Sequence, residues 1–180
     1  MKTERHVAQR ALCLLAIGLL ADEKPRNEIK GWLLKADAAD ALSDYEHLLL
    51  GDSAHGTEEK IYVSWSVEYF APCMWALGSI SELVQAINAM DWPSAGLTNE
   101  LYAEPNAWFD STQLRSEEQI LEYLQLIEQQ AWGCRAGAAG RQLFGGSSVD
   151  LNSGIVFARL KTLRWIVSEE DDWDAVALNT

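Results

Sequence analysis

The chain has 180 residues, of which 48% are hydrophobic, and it contains eight tryptophans. This composition is typical of a globular protein and excludes an intrinsically disordered one. With 27 acidic and 14 basic residues the formal net charge is −13. Such a charge argues against direct binding to nucleic acid or to an anionic membrane and favours a basic partner, although a well-solvated surface explains it equally well.

The first 23 residues, MKTERHVAQRALCLLAIGLLADE, fit two interpretations. Basic residues before an apolar run are typical of a secretory signal peptide, whereas apolar residues that recur from Ala8 to Leu19 have the period of one helix face. Glu4 interrupts the basic start, and Leu19 before Ala21 is a poor cleavage site. We therefore expect a packed first helix and a cytoplasmic protein. No apolar run reaches the roughly 18 residues of a membrane-spanning helix.

Three shorter patterns predict the next helices. After Pro25, NEIKGWLLKAD predicts a short helix, and in ALSDYEHLLLG a capping box of Ser43 and Glu46 predicts another. The third runs from about residue 57 to residue 77. Its segment IYVSWSVEYFAPCMWALGS is almost wholly apolar, so we expect it at the centre of the fold. Pro72 should bend or split this helix, and Gly78 should end it.

The second half alternates between loops and helices. SISELVQAINAM predicts a helix from about residue 81, and residues 91–115 predict a long loop that carries Trp92 and Trp108. Helices follow at 116–135, with the inward face Ile120, Leu124, Ile127 and Ala131, and at 153–168. Between them, the Gly-rich stretch 137–154 lacks the Lys-Ser or Lys-Thr of a phosphate-binding loop. Four tryptophans on helical apolar faces are predicted to lie in the core: Trp65, Trp75, Trp132 and Trp165.

No run has the period of a strand, so the sequence predicts an all-α protein. We expect residues 1–180 to form a single-domain bundle of about six to seven helices, with a long irregular loop and an extended acidic C-terminal tail.

Several segments resemble one known family. AQRALCLLAIG, SWSVEYFAPCMWALGSISEL, LRSEEQILEYLQLIEQQAWGCRAG and GIVFARLKTLRWIVSEEDDWDAVALNT occur in this order. Together they resemble the bacterial domain of unknown function 4272 (DUF4272) family over nearly the whole chain. The most specific stretches are W-x-x-E and W-A-L-G between Trp65 and Gly78, and the closing RW…DDWDAV…T. The resemblance supports the fold and implies no particular activity.

The chain departs from the family pattern at polar positions. In the last helix the family has a Glu and a His around the arginine, whereas here Arg159 stands alone among apolar neighbours. Ser66 replaces an arginine of the usual W-R-x-E, and Asn179 replaces an aspartate before the final threonine. The simpler explanation is a network of ion pairs between helices that packing has partly replaced.

Two polar features are candidate sites. Glu68 lies in an apolar helix, where it is either a structural partner of Arg159 or Arg164 or a general acid or base. Five carboxylates surround Trp173: Glu169, Glu170, Asp171, Asp172 and Asp174. They form either a solvated charge run or a protein-binding edge with Trp173 as its anchor. They lack the glycine and the alternating acids of an EF-hand.

The sequence predicts no metal site and no cofactor. Cys13, Cys73 and Cys134 are far apart and not in CxxC spacing, so we expect reduced thiols. Our preferred hypothesis is a non-enzymatic acidic protein-binding protein, in concrete form an immunity protein that neutralises a cognate bacterial toxin, with Trp92, Trp108 and the carboxylates around Trp173 as contact residues. The alternative is an enzyme with a buried polar pocket at Glu68 and Arg159. A homo-oligomer is compatible with either.

Overall fold

The computed structural model describes residues 1–51, 56–92, 99–136 and 151–178. Within these ranges it is all-helical without strands, which confirms the predicted class. The helices are α1 (Glu4–Gly18), α2 (Arg26–Lys35), a 3-10 turn (Ala39–Ala41), α3 (Asp44–Leu49), α4 (Thr57–Ala76), α5 (Asn99–Ala103), α6 (Pro105–Ser111), α7 (Glu117–Ala136) and α8 (Ser153–Val167). Most of the predicted Gly-rich connector, and the departure at Asn179, lie outside the described residues.

Helix α4 lies at the centre, as its apolar sequence predicts. It packs against α1 on one side and against α8 on another, and α8 in turn packs against α7. Phe70, Ala71 and Cys73 on α4 are fully buried. Because α4 is enclosed by two partners, it has no polar face of the kind that a surface helix shows.

Helix α1 is a packed element of the core. Thr3 caps its first turn by accepting a hydrogen bond from the His6 backbone, and the helix is buried almost continuously from Val7 onward. The Lys2 backbone N–H donates to the Ile166 carbonyl at 2.7 Å. The start of α1 is thereby joined to the end of α8.

Of the two effects predicted for Pro72, splitting does not occur, since α4 is unbroken from Thr57 to Ala76, and a bend stays a prediction. A proline removes one hydrogen bond within a helix, and packing on two sides holds the rest of the helix together. The predicted stop is correct. Gly78 has a φ of 70°, and the Ser79 N–H bonds to the Met74 carbonyl at 2.9 Å, which is the Schellman arrangement.

The helix predicted from residue 81 is absent, since residues 81–90 contain no helix. Other parts of the chain use the backbone groups of this segment. The Arg115 side chain donates to the carbonyls of Ile80 and Ser81, and Asn152 N–H donates to the Ala86 carbonyl. These tertiary bonds replace those of a helix, and Val84 remains exposed on the surface.

The predicted loop at 91–115 contains two short helices in its described part, α5 and α6. Pro105 starts α6 in the first turn, where a missing N–H is tolerated. The structure thus has two helices that were not predicted and lacks the one predicted from residue 81. It contains eight α-helices within the described ranges.

Helix α7 buries its predicted inward face, from Ile120 to Ala131. Its start is capped by Ser116 and Gln119, which bond to each other's backbone N–H groups. The prediction that Trp132 lies in the core is wrong, because its side chain is 47% exposed. Trp132 follows Ala131 directly, and one residue turns the helix by about 100°, away from the buried face. Trp65 is half-buried, whereas Trp75 and Trp165 are buried.

A matched pair of glycine substitutions tests the end of α4. In Gly78→Ala the new Cβ lies 3.2 Å from the Gln113 carbonyl oxygen on a left-handed backbone, so we expect the free energy of unfolding to fall by about 1 kcal/mol. In Gly31→Ala, within α2, the Cβ meets no atom within 4 Å, and we expect a gain of roughly 0.5–1 kcal/mol. Urea unfolding measures both. Changes of the same sign in the two variants would contradict this interpretation.

Candidate functional site

The structure brings Glu68 and Arg159 together between α4 and α8. The Arg159 Nη2 lies 3.2 Å from the Glu68 Oε2, and both side chains are only 1% exposed. The second carboxylate oxygen accepts the Met90 backbone N–H at 2.6 Å, and Arg159 donates to the Val84 carbonyl at 2.6 Å. The pair therefore joins two helices and fixes the non-helical segment that passes over them.

This burial bears on the chemistry of Glu68. A general acid or base must come within hydrogen-bonding reach of its substrate. Here the Glu68 carboxylate is enclosed by an arginine and a backbone N–H, and neither of the two clefts described below is lined by it. The arrangement is that of a structural ion pair, whose hydrogen bonds offset the cost of burying two charges.

A second buried ion pair, which the sequence analysis missed, joins α1 to α3. The guanidinium of Arg10 contacts the carboxylate of Glu46, and these side chains are 2% and 0% exposed. Arg10 also donates to the Ala41 carbonyl at 3.1 Å, and Glu46 accepts the Ser43 N–H at 3.0 Å. In the sequence, the capping box with Ser43 was a sufficient explanation for Glu46, so no second partner was sought. The signal that could have revealed the pair is Arg10, a basic residue that directly precedes the apolar run of α1.

A hydrogen-bonded chain extends from this pair toward the surface. Tyr62 donates its hydroxyl hydrogen to Glu46 at 3.1 Å, and the indole N–H of Trp173 donates to the Tyr62 oxygen at 3.1 Å. Burial and the nearby Glu46 carboxylate raise the pKa of Tyr62. Burial alone would lower the pKa of Arg10, but Glu46, together with Cys13 and Tyr62, raises that pKa above its ordinary value. Tyr62 is thus held neutral and Arg10 charged.

Trp173 is 2% exposed, which corrects its predicted role as a surface anchor. Two cations lie over its ring, with the Arg10 guanidinium 4.9 Å and the Lys161 ammonium 4.7 Å from the ring centre. Tyr69 and Trp165 meet the ring in edge-to-face geometry. Trp173 therefore attaches the C-terminal segment to the core, by contacts that combine apolar burial with cation–π attraction.

The five carboxylates around Trp173 are exposed. Asp171 forms an ion pair with the buried Lys2, and Asp174 accepts the Tyr45 backbone N–H at 3.2 Å. The predicted tail is not uniformly extended, because a turn lies at residues 174–175. The burial of Trp173 holds these acids at a defined place on the surface.

Acidic side chains from two regions of the chain line one cleft. It has a volume of about 410 Å³, with His6 and Gln9 on the α1 side and Arg10, Trp165 and Trp173 also among its lining residues. Four aspartates line it: Asp40, Asp44, Asp171 and Asp172. Within the described residues, no group of three or more His, Cys, Asp or Glu side chains is placed to hold a metal ion.

The two predicted loop tryptophans are half-buried and lie apart from this cleft. The Trp92 ring is tilted by 54° against Phe70, with ring centres 5.2 Å apart. It lies so close to Gly18 that a Cβ there would be 1.9 Å from the ring. Trp108 lines a second groove, of about 770 Å³, and its indole N–H donates to the Ser79 hydroxyl at 3.2 Å. Both rings pack against the core and retain a partly exposed edge.

Two of the three thiols are fully buried. Burial raises the pKa of Cys13 and of Cys73 to about 12, so both remain protonated at neutral pH and are poor nucleophiles. Cys134 is half-buried. No helix in the described ranges is both long enough and apolar enough to cross a membrane.

Comparison with family models matches residues 1–176 to the domain of unknown function DUF4272. The chain belongs to this family. No curated protein and no solved structure is similar enough to count as a match.

Removal of one partner from the Arg10–Glu46 pair should be severely destabilising. Arg10→Met leaves the Glu46 carboxylate buried without a cation, and we expect a loss of about 3–5 kcal/mol in the free energy of unfolding. In the double variant with Glu46→Gln, the amide still accepts hydrogen bonds and carries no charge, so the loss should be smaller than the sum of the two single losses. Urea unfolding gives all three values, and simple additivity would contradict the coupling.

The Lys2–Asp171 pair predicts a pH dependence. The hydrogen bond and the charge of Lys2 lower the pKa of Asp171 below its ordinary value of 3.8. The pair should thus persist above that ordinary pKa and be lost as pH falls through the lowered one. Carbon-13 NMR of the Asp171 carboxyl should show its midpoint rise in Lys2→Met and stay constant in Lys30→Met, which removes a distant charge. Equal midpoints in all three proteins would refute the pairing.

Proposed function

We propose that this member of the DUF4272 family is a non-enzymatic, acidic protein-binding protein. In its concrete form, it is an immunity protein that neutralises a cognate bacterial toxin in the cytoplasm. The observation that carries the proposal is the cleft beside Trp173, which four aspartates line together with the buried rings of Trp165 and Trp173.

The charge of this cleft is poorly compensated by the chain itself. Lys2 is paired with Asp171, and Arg10 is engaged with Glu46 inside the protein. Asp40, Asp44 and Asp172 form no ion pair among the described residues. Lys2 and Arg10 therefore do not neutralise these three aspartates, and the cleft attracts positive charge from outside the chain.

A basic protein is the partner that fits such a surface. Proteins that act on nucleic acids or nucleotides present positively charged clefts, and an acidic inhibitor meets them rapidly because long-range attraction raises the association rate. The ordered surface supports specificity, because Trp173 and its hydrogen bond to Tyr62 hold the acids of the C-terminal segment in place. The partly exposed edges of Trp92 and Trp108 are candidate contacts outside the cleft.

The alternative, an enzyme that uses Glu68 and Arg159, has less support. Each side chain is 1% exposed and bonded to the other and to the backbone. For catalysis, the segment at residues 84–90 would have to move away before a substrate could reach either group.

Co-expression tests the proposal directly. We expect the chain to restore growth of cells that produce the toxin encoded beside its gene, and the purified proteins to form a complex. Failure of rescue together with failure of complex formation would overturn the immunity function.

Charge-matched variants locate the binding surface. In Asp40→Asn/Asp44→Asn/Asp172→Asn the association rate at low salt should fall by about tenfold or more, because steering is lost. Glu117→Gln/Glu118→Gln/Glu122→Gln removes as much charge from the exposed start of α7 and should change the rate much less. Surface plasmon resonance measures the rates, and an equal loss in both variants would move the contact away from the cleft.

A further inference from the structure

Residues 169–178, which we call the C-terminal strap, are attached to the helices in an unusual way. Within the described residues, no backbone–backbone hydrogen bond joins residues 169–178 to any other part of the chain. Their attachments all involve at least one side chain. A segment without a backbone ladder can leave the core without breaking the hydrogen bonds of a helix.

Cations from four elements make these attachments. Lys2 pairs with Asp171, and Arg10 of α1 faces Trp173. Arg164 of α8 donates to the Ala177 carbonyl at 3.0 Å, and Arg135 of α7 donates to the Leu178 carbonyl. The strap carries five carboxylates within six residues, and only Asp171 among them forms an ion pair within the described residues.

Lys161 of α8 attracts the Trp173 ring of the closed strap and is half-buried there. Its ammonium faces the rings of Tyr69 and Trp173, at 5.8 and 4.7 Å, and it forms no ion pair within the described ranges. Burial lowers the pKa of Lys161, and the Trp173 ring of the closed strap lies over its ammonium. Withdrawal of Trp173 would return that charge to water.

We propose that the strap is a detachable element, which opens as one unit while the helices remain folded. Opening removes the Trp173 ring from its contacts with Arg10 and Lys161 and uncovers the Tyr62 hydroxyl. It also releases an acidic peptide with a free tryptophan. This opening belongs to the isolated chain and does not depend on the proposed function. If that function holds, a basic partner bound in the cleft keeps the strap closed, because Asp171, Asp172 and Trp173 line that cleft only in the closed position.

Hydrogen exchange of the full-length protein, read by NMR at low urea concentrations, tests the proposal through the Trp173 indole N–H, which donates to the Tyr62 oxygen in the closed strap. Exchange of this N–H, which we call strap exchange, should be faster than that of the α4 amides and should depend little on urea, because local opening exposes little surface. The amides of α4 should show the strong urea dependence of global unfolding. Equal rates and equal urea dependence in the two regions would make the strap part of the cooperative core and overturn the proposal.

Matched variants test what holds the strap closed. Asp171→Asn removes the carboxylate that pairs with Lys2 and should speed strap exchange by about twofold or more, with α4 unaffected. Glu169→Gln removes an exposed neighbouring carboxylate and should not speed it. If Asp171→Asn and Glu169→Gln change the rate of strap exchange equally, attachment of the strap by the Lys2–Asp171 pair is refuted.

Discussion

A charge that leaves water must be paired inside the protein, and this constraint organises much of the structure. Two ion pairs, Arg10–Glu46 and Glu68–Arg159, are almost completely buried. The unpaired burial of either member would be strongly destabilising, so each pair requires its helices to meet at one position. The first fixes α3 against α1, and the second fixes α8 against α4. Packing of apolar side chains around them then completes the core.

Each ion pair also holds a non-helical segment of the chain in position. Glu68 and Arg159 bond to the backbone at Met90 and Val84, and they thereby hold the crossing segment in a non-helical form. The network around Arg10 reaches Trp173 through Glu46 and Tyr62. The position of the acidic surface is thus set by a charge pair in the interior, which links the stability of the fold to the surface that we propose binds a partner.

The distribution of charge separates two roles for the acidic residues. Glu46 and Glu68 are structural, because each is enclosed and paired with an arginine. The aspartates at the rim of the cleft face solvent and are mostly uncompensated. The large negative net charge is therefore carried by side chains on the surface. These surface charges would favour a basic partner over other proteins.

The sequence by itself determined the helices and helix ends that depend only on residues near each other in the chain. Helical periodicity located α1, α4, α7 and α8, the Ser43–Glu46 capping box is present, and Gly78 ends α4 because only glycine adopts its left-handed backbone at little cost. The tertiary structure alone decided features that depend on distant partners. Residues 81–90 are not helical because Arg115, Arg159 and Glu68 take their backbone groups. Trp173 is buried because Arg10, distant in sequence, lies beneath it. Local patterns carry no information about which distant charge a side chain will meet.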